Sequence, residues 1–404
     1  MTAITPPPLH LPRPAARRVL AVGAWLKNTA GLLDGDRYTA SALHGDLGTP
    51  DACAALEASV EALVRDARGP IDAVAHDLHP DFHSTRLALH WADRLGVPAI
   101  GVQHHHAHLA VVQAEKGLDG PLLGLALDGV GLGTDGTAWG GELLRLDMDG
   151  GFERLAHLPP LALPGGDVAA REPWRLVAAV LHALGRGDEI GPRLAPVVGA
   201  AAAQGVKTML VRSLNCPVST GAGRWFDAAA GVLGLSVRQR EEAEAAVALE
   251  RCAAAWLEWH PGVVPGVGPR VREDDGMGIW ALMEALLALD VHDADARGRG
   301  AALFHVGLAD ALADATIAAA TRDGLHAVAL GGGCFFNRLL SQRLTERLTA
   351  AGLRVHRPQG VSCGDAGLAL GQAWVAVQQL RTRPAATQGA TATATSTTTT
   401  MTET

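Results

Sequence analysis

Four histidines fall within five positions at 104–108, in the run QHHHAH that begins at Gln103. His104 and His108 are four apart, so a helix would place both rings on one face, within reach of one ion. Imidazole suits Zn or Fe(II). The run follows PAIGVQ (98–103), an apolar segment that reads as a strand, and sites in α/β proteins gather at the carboxyl ends of strands. A histidine-rich helix start can also simply cap and solvate. Spacing alone leaves both readings open.

Two glycine-rich loops follow. Residues 128–142 read DGVGLGTDGTAWGGE. Gly129, Gly131 and Gly133 would let the backbone approach a ligand and offer N–H groups to phosphate oxygens. The context is strand–loop–strand, so it is not a dinucleotide fingerprint, which needs a helix next. Asp128 ends an apolar strand, where a carboxylate serves either a turn or a metal or Mg–nucleotide. Residues 331–337 read GGGCFFN, glycines between a strand and a helix. Free N–H groups and the helix dipole bind anions there, and Gly332 and Gly333 make a second candidate phosphate loop. Asp365 opens the last predicted helix and on local grounds is an N-cap or first-turn acid. Cys334 and Cys363 lie beside these loops without an evident base in sequence and read as buried, inert thiols.

The elements that must carry these residues alternate. Strands are expected at 18–24, 38–44, 71–78 and 98–103, and helices at 51–67, 84–95 and 104–116. A second start gives strands at 122–128, 137–146 and 152–158. Residues 166–325 read as mostly helical. A strand at 327–330, a helix at 337–351, a short strand at 354–357 and a last helix at 366–380 complete the order. A strand–turn–strand–turn–strand unit thus occurs twice, a coarse internal duplication. The expected fold class is α/β, a two-lobed actin-like or sugar-kinase-like ATPase fold. It has duplicated βββαβα lobes and a helical insertion in the second, which by fold-level analogy says nothing of chemistry. The expected layout is a disordered arm at 1–16 and a first lobe at 17–118, with the last helix (364–381) packing back on it. The second lobe spans 119–363 and includes the insertion at about 166–325. A disordered Ala/Thr-rich tail occupies 383–404.

Bulk properties exclude several classes. A net charge of −8 without a basic block gives no electrostatic footprint for nucleic acid. Five widely spaced cysteines without a C-x-x-C pair argue against a zinc ribbon or a disulfide framework and for a reducing cytoplasm. Neither a signal peptide nor an uninterrupted apolar run of membrane-spanning length is visible.

Several runs together resemble one family. They are VQHHHAHLAVVQAEKGLDGPLLGLALDGVGLGTDGTAWGGELL (102–144), AHDLHPDFHSTRLA (75–88), LPGGDVAAREPWR (163–175), GRWFDAAAGVLGL (223–235), LGGGCFFNRLL (330–340) and GDAGLALGQ (364–372). They are similar to the carboxy-terminal domain of the hydrogenase maturation carbamoyltransferase HypF family. A looser similarity reaches the threonylcarbamoyl tRNA-modification ATPases and the antibiotic O-carbamoyltransferases. The resemblance implies a site where a carbamoyl-adenylate, derived from carbamoyl phosphate and ATP, lies beside a divalent metal, Fe(II) or Zn(II), with Mg(II) as an alternative on the nucleotide. It implies His104, His108, Asp128 and Asp365 as metal ligands, with Asp128 also catalytic. It implies nucleotide contacts from Gly129, Gly131, Gly133, Gly332, Gly333 and Asn337, and from Asp167 and Asp227. Lys27, in a first-lobe turn, would reach a phosphate or carbamoyl oxygen. The implied acceptor is the carboxy-terminal cysteine of HypE, whose thiocarbamate becomes the cyanide ligand of nickel–iron hydrogenase. The acylphosphatase, zinc-finger and YrdC-like domains of longer members have no counterpart here, so either a separate YrdC-like protein makes the adenylate, or this domain takes carbamoyl phosphate and ATP differently, or it no longer transfers. The alternatives are a non-catalytic nucleotide-binding module of the maturation complex and a small-molecule O-carbamoyltransferase.

Overall fold

The computed structural model describes residues 6–266 and 278–382. The 383–404 tail expected to be disordered lies outside them, as do residues 1–5 of the arm.

The first lobe runs β1 (Leu9–His10), β2 (Val19–Ala21), β3 (Gly31–Asp34), β4 (Arg37–Ala40), α1 (Pro50–Arg65), β5 (Ala73–Asp77), α2 (His83–Leu95), β6 (Ala99–Val102) and α3 (His104–Lys116). Its sheet order is β1-β4-β3-β2-β5-β6. Two expectations change. The proline-rich arm is not wholly disordered, because Leu9 and His10 pair antiparallel with Tyr38 and Arg37, and Leu11 is buried. A strand at Gly31–Asp34 was hidden because its run is short and Gly31 leaves room for the Tyr38 ring rather than carrying an apolar side chain.

The second lobe opens with β7 (Leu122–Leu132), β8 (Ala138–Leu146), β9 (Phe152–His157) and β10 (Leu161–Ala162). The insertion follows with α4 (Asp167–Arg171), α5 (Pro173–Ala183), α6 (Ile190–Val198), α7 (Ala200–Val211), β11 (Val218–Ser219), α8 (Ala222–Val232), α9 (Glu244–Trp259), α10 (Ile279–Leu287) and α11 (Ala294–Asp323). The lobe closes with β12 (Ala327–Gly331), α12 (Arg338–Ala350), β13 (Arg354–His356) and α13 (Leu368–Thr382). Its sheet runs β10-β11-β8-β7-β12-β13, with β9 also paired to β8. Without the edge additions, both sheets share one order: third, second, first, fourth and fifth strand of the lobe. In each, strand one pairs antiparallel with two and parallel with four. That is the duplicated actin-like, sugar-kinase-like arrangement.

The lobes exchange helices. α13 follows the second lobe's last strand but packs on the first lobe, its Leu368, Leu370, Trp374 and Val377 sharing a core with Val19, Ala75 and Val102. α3 lies against both sheets. Ala107, Ala110 and Val111 join the first-lobe core, while Leu109 and Val112 join Leu122, Ala126 and Ala329 of the second. Every residue from His104 to Ala114 is therefore buried, and α3 has no polar face. α3 and α13 approach closely because Gly371 has no Cβ, which would overlap the Ala107 carbonyl oxygen. α11 is long and apolar enough to cross a membrane by length and composition, yet more than half of its most apolar stretch is buried. It packs there against α9, α10 and α12.

Candidate metal and nucleotide site

Each histidine of the cluster is fixed by the element that carries it. Gln103 N-caps α3, its Oε1 accepting from the His106 N–H at 2.8 Å, while its Nε2 donates to the Leu132 carbonyl at 3.1 Å and ties the cap to β7. One helical turn then brings His104 Nε2 and His108 Nε2 to 3.2 Å of each other. His105 and His106 lie outside the group whose ligand atoms converge; both are buried, and burial pushes His105 well below its ordinary value and His106 down to about 4.

Asp128 arrives from β7 by a break in pairing. Leu127 lies opposite Gly141, but the next pair is Gly131 with Trp139, so extra residues bulge out of β7 at 128–130. The bulge turns Asp128 toward α3, with Oδ2 2.8 Å from His108 Nε2 and Oδ1 accepting from the Gly129 N–H at 2.7 Å. Asp365 comes from the segment before α13, Oδ1 lying 3.4 Å from His108 Nε2 and 3.6 Å from His104 Nε2. That segment is pinned to the first lobe. Thr29 Oγ1 donates to the Ala366 carbonyl, and the Gln372 amide exchanges two hydrogen bonds with Gly23.

The four side chains make a compact donor set. Their facing atoms all lie within 4.8 Å of one another, and all four side chains are buried or nearly so. His104 Nδ1 lies 2.8 Å from Oδ2 of the fully buried Asp77. With Nδ1–H donating there, Nε2 presents its lone pair inward, the tautomer a metal ligand needs. His108 Nδ1 has no hydrogen-bond partner. Asp128 Oδ2, although close to His108, lacks hydrogen-bond geometry. Such orphaned buried atoms cost about 1–3 kcal/mol each unless something else satisfies them. The electrostatics also favour a cation. Burial lowers the His104 imidazole, but Asp128, Asp365 and Asp77 outweigh it and hold it well above its ordinary value; His108 is raised in the same way. Burial raises Asp128 and Asp365, and the two imidazoles overcome it, holding both carboxyls low. Two imidazole nitrogens and two carboxylate oxygens fit one divalent ion of the Fe(II), Zn or Mn type.

Asp77 escaped the sequence reading, which placed it in a strand without a role. The available signal was the one used for Asp128, an acid ending an apolar strand. Glu142 escaped it too. Fully buried, it accepts from the Gly140 and Gly141 N–H groups, from Arg154 Nε at 2.7 Å and from Thr220 Oγ1. It thereby fastens β8 to the turn that starts α8.

The other expected residues fall in different places. Gly129 and Gly333 adjoin the cluster: a Cβ on Gly333 would stand 3.2 Å from Asp128 Oδ1. Gly332, at φ 105°, donates its N–H to the Cys363 carbonyl, and a Cβ there would collide with the Leu127 carbonyl oxygen. Gly131 and Gly133 are occupied by packing, against the His104 and His105 rings and against the Trp139 indole, and the Gly133 N–H donates to the Thr137 carbonyl. Asn337 caps α12, Oδ1 accepting from the Leu340 N–H at 3.0 Å and Nδ2 donating to His305 Nε2 at 2.9 Å. Asp227 is buried, accepts from Gln239 and pairs with Arg224 at 2.9 Å. Asp167 is exposed in the first turn of α4. Lys27 sits in a left-handed turn (φ 41°), and its Nζ pairs with Glu242 of the insertion at 2.6 Å, one lobe to the other. Burial pulls the Lys27 ammonium down, but Glu242, Asp365 and Asp128 outweigh it and raise it. Cys334 and Cys363 are raised by burial and stay thiols.

Comparison with known proteins gives this arrangement a context. The family model for the HypF Kae1-like domain matches residues 14–115, and that for the second subdomain of the carbamoyltransferase Kae1-like domain matches 124–372. A carbamoyltransferase HypF homolog of Cupriavidus necator is 58% identical over 365 residues, 89% of this chain and 92% of the relative. Carbamoyltransferase HypF2 of the same organism is 46% identical over 93% of this chain but only 48% of its own length. A crystal structure of full-length HypF in the phosphate- and nucleotide-bound form superposes with a TM-score of 0.80 at 29% identity, covering 92% of this chain and 48% of that one. The chain thus spans nearly all of one curated relative and about half of the longer ones.

Proposed function

The chain belongs to the carbamoyltransferase HypF family, and from that premise we propose that its cleft transfers a carbamoyl group from a carbamoyl-adenylate to the carboxy-terminal cysteine of HypE during synthesis of the cyanide ligand of nickel–iron hydrogenase. The observation that carries this reading is the convergence of His104, His108, Asp128 and Asp365 beside two glycine loops. His104 and His108 would hold a divalent metal with the two aspartates, and a metal so bound supplies Lewis acidity to a carbonyl or phosphate oxygen. The phosphate- and nucleotide-bound form of a full-length relative supports nucleotide binding.

The chain's own residues position the reactants. The backbone at Gly333, beside Asp128, faces the phosphate of the adenylate, where its N–H would stabilise charge growing on departing AMP. Lys27 exchanges Glu242 for a carbamoyl or phosphate oxygen. The acceptor thiolate forms the S–C bond as the C–O bond to AMP breaks. The partner provides the nucleophile, consistent with the raised thiols of Cys334 and Cys363.

The test is direct. The chain is given synthetic carbamoyl-adenylate and HypE, and the HypE tail is examined by mass spectrometry. Carbamoylation of its last cysteine is expected, and its loss in H104A/H108A together with bound metal. Nucleotide binding without any transfer would overturn the catalytic reading in favour of a binding module.

A further inference from the structure

Arg224 is a charged group that the site as described does not use. It lies in the first turn of α8, and that turn leans on the β7 bulge. A Cβ on Gly221 would overlap the Gly129 carbonyl oxygen, and one on Gly223 would stand 3.0 Å from Gly129 Cα. Arg224 Nη2 is 3.8 Å from the position a Gly129 Cβ would take. The Arg224 charge also reaches the Cys334 thiol and pulls it down, against the burial that raises it most. The guanidinium therefore lies beside the Gly129 loop.

Its hydrogen-bonding capacity is largely unspent. Asp227 Oδ2 lies 2.9 Å from Nη2, while the buried Nε has no partner. A guanidinium offers five donors in a planar fork shaped for carboxylate or phosphate oxygens. A buried, unsatisfied donor on a cation is costly, and an anionic ligand would recover that cost. α8 adds to the field, because the positive end of its dipole opens at the same point.

We propose that Arg224 is a phosphate-binding residue of this cleft, gripping the α-phosphate of a nucleoside monophosphate or its acyl-adenylate beside the Gly129 loop, with Asp227 holding the guanidinium in place. This rests on the nucleotide-binding part of the function proposed above. It accounts for a buried acid at 227 that faces an arginine rather than open solvent. It also moves the main anionic contact from Gly131 and Gly133, which packing occupies, to a side chain.

The test compares AMP with adenosine, which differ only by the phosphate, by calorimetry on the metal-loaded chain. Wild type is expected to bind AMP at least about tenfold tighter than adenosine, the scale of a charge-assisted hydrogen bond. R224Q should abolish most of that ratio and leave adenosine unchanged, and R224K should recover part of it. D227N should weaken AMP and spare adenosine, with R224K no longer rescuing in its background. Should R224Q leave Asp227 unpaired and the fold damaged, R224Q/D227N removes the whole pair and should lose the ratio with a normal melting transition. A wild-type AMP:adenosine ratio in these folded variants overturns the proposal, as does equal weakening of both ligands. Failure of carbamoyl transfer by wild type would instead strike the proposed reaction and leave the AMP:adenosine ratio untouched.

Discussion

Where the first lobe's fourth strand, β5, ends in Asp77, the equivalent strand of the second lobe, β12, ends in Gly331 and runs on into Gly332 and Gly333. Both strand ends point at the same cleft from pseudo-equivalent positions, and they do opposite work. The acid is buried and holds the Nδ1 side of His104. The glycines remove side chains so that Leu127, Asp128 and Cys363 can close in. Their paired strands differ likewise. The β2–β3 connection carries Lys27 in a left-handed turn, while β7 bulges to aim Asp128. One strand order thus yields a lobe that orients a ligand and a lobe that makes room for one.

The sharpest way to break that division is to remove the ligands each lobe contributes. H108A from the first lobe and D128A from the second should each lower metal occupancy, read by elemental analysis, at least about a hundredfold at limiting metal. If only one did so, the site would not bridge the lobes. Next comes room. G332A places a Cβ against the Leu127 carbonyl and strains a backbone at φ 105°. It should cost about 3 kcal/mol in urea unfolding, the scale of a disfavoured conformation plus a clash. Orientation follows. D77N keeps the volume of Asp77 but weakens its hold on His104, and metal affinity should fall about 10–100-fold with little change in fold.

The smallest effect concerns the pillar behind the glycine loop. Burial pushes His305 down to about 4, and its Nε2 accepts from Asn337. As pH falls below the unfolded value of 6.5, the unfolded chain gains a proton that the folded chain refuses. Stability is therefore full above 6.5 and is lost as pH falls towards 4. At pH 5 the loss is on the order of 2 kcal/mol from this group. H305Q should flatten that part of the profile in chemical unfolding between pH 4 and 7.

Sequence could reveal the candidate ligands because the chemistry forces their type and spacing. His104 and His108 need one helical turn, and Asp128 needs a strand end. The lobe order followed from a repeated strand–turn–strand pattern. What sequence hid depends on packing across long separations. Asp77 meets His104 only because β5 and β6 are neighbours, and an isolated acid at a strand end does not announce its partner. Asn337 reads as a phosphate contact, and its side chain is engaged in capping α12 and in holding His305, a partner far away in sequence that nothing local shows. Gly131 and Gly133 read as a ligand cradle, but the neighbouring His104 and Trp139 rings fill the space they open. The arm reads as disordered because prolines mask a two-residue strand whose partner is about thirty residues away.

The central claim is that one divalent ion is held by two imidazoles and two carboxylates at the meeting of the lobes. X-ray absorption fine structure at the edge of the metal bound to the chain tests it most directly. The account predicts a first shell of nitrogen and oxygen only, at about 2.0–2.2 Å, with outer-shell scattering from two imidazole rings. A sulfur shell near 2.3 Å, drawing in Cys334 or Cys363, or a shell without imidazole scattering, would contradict it.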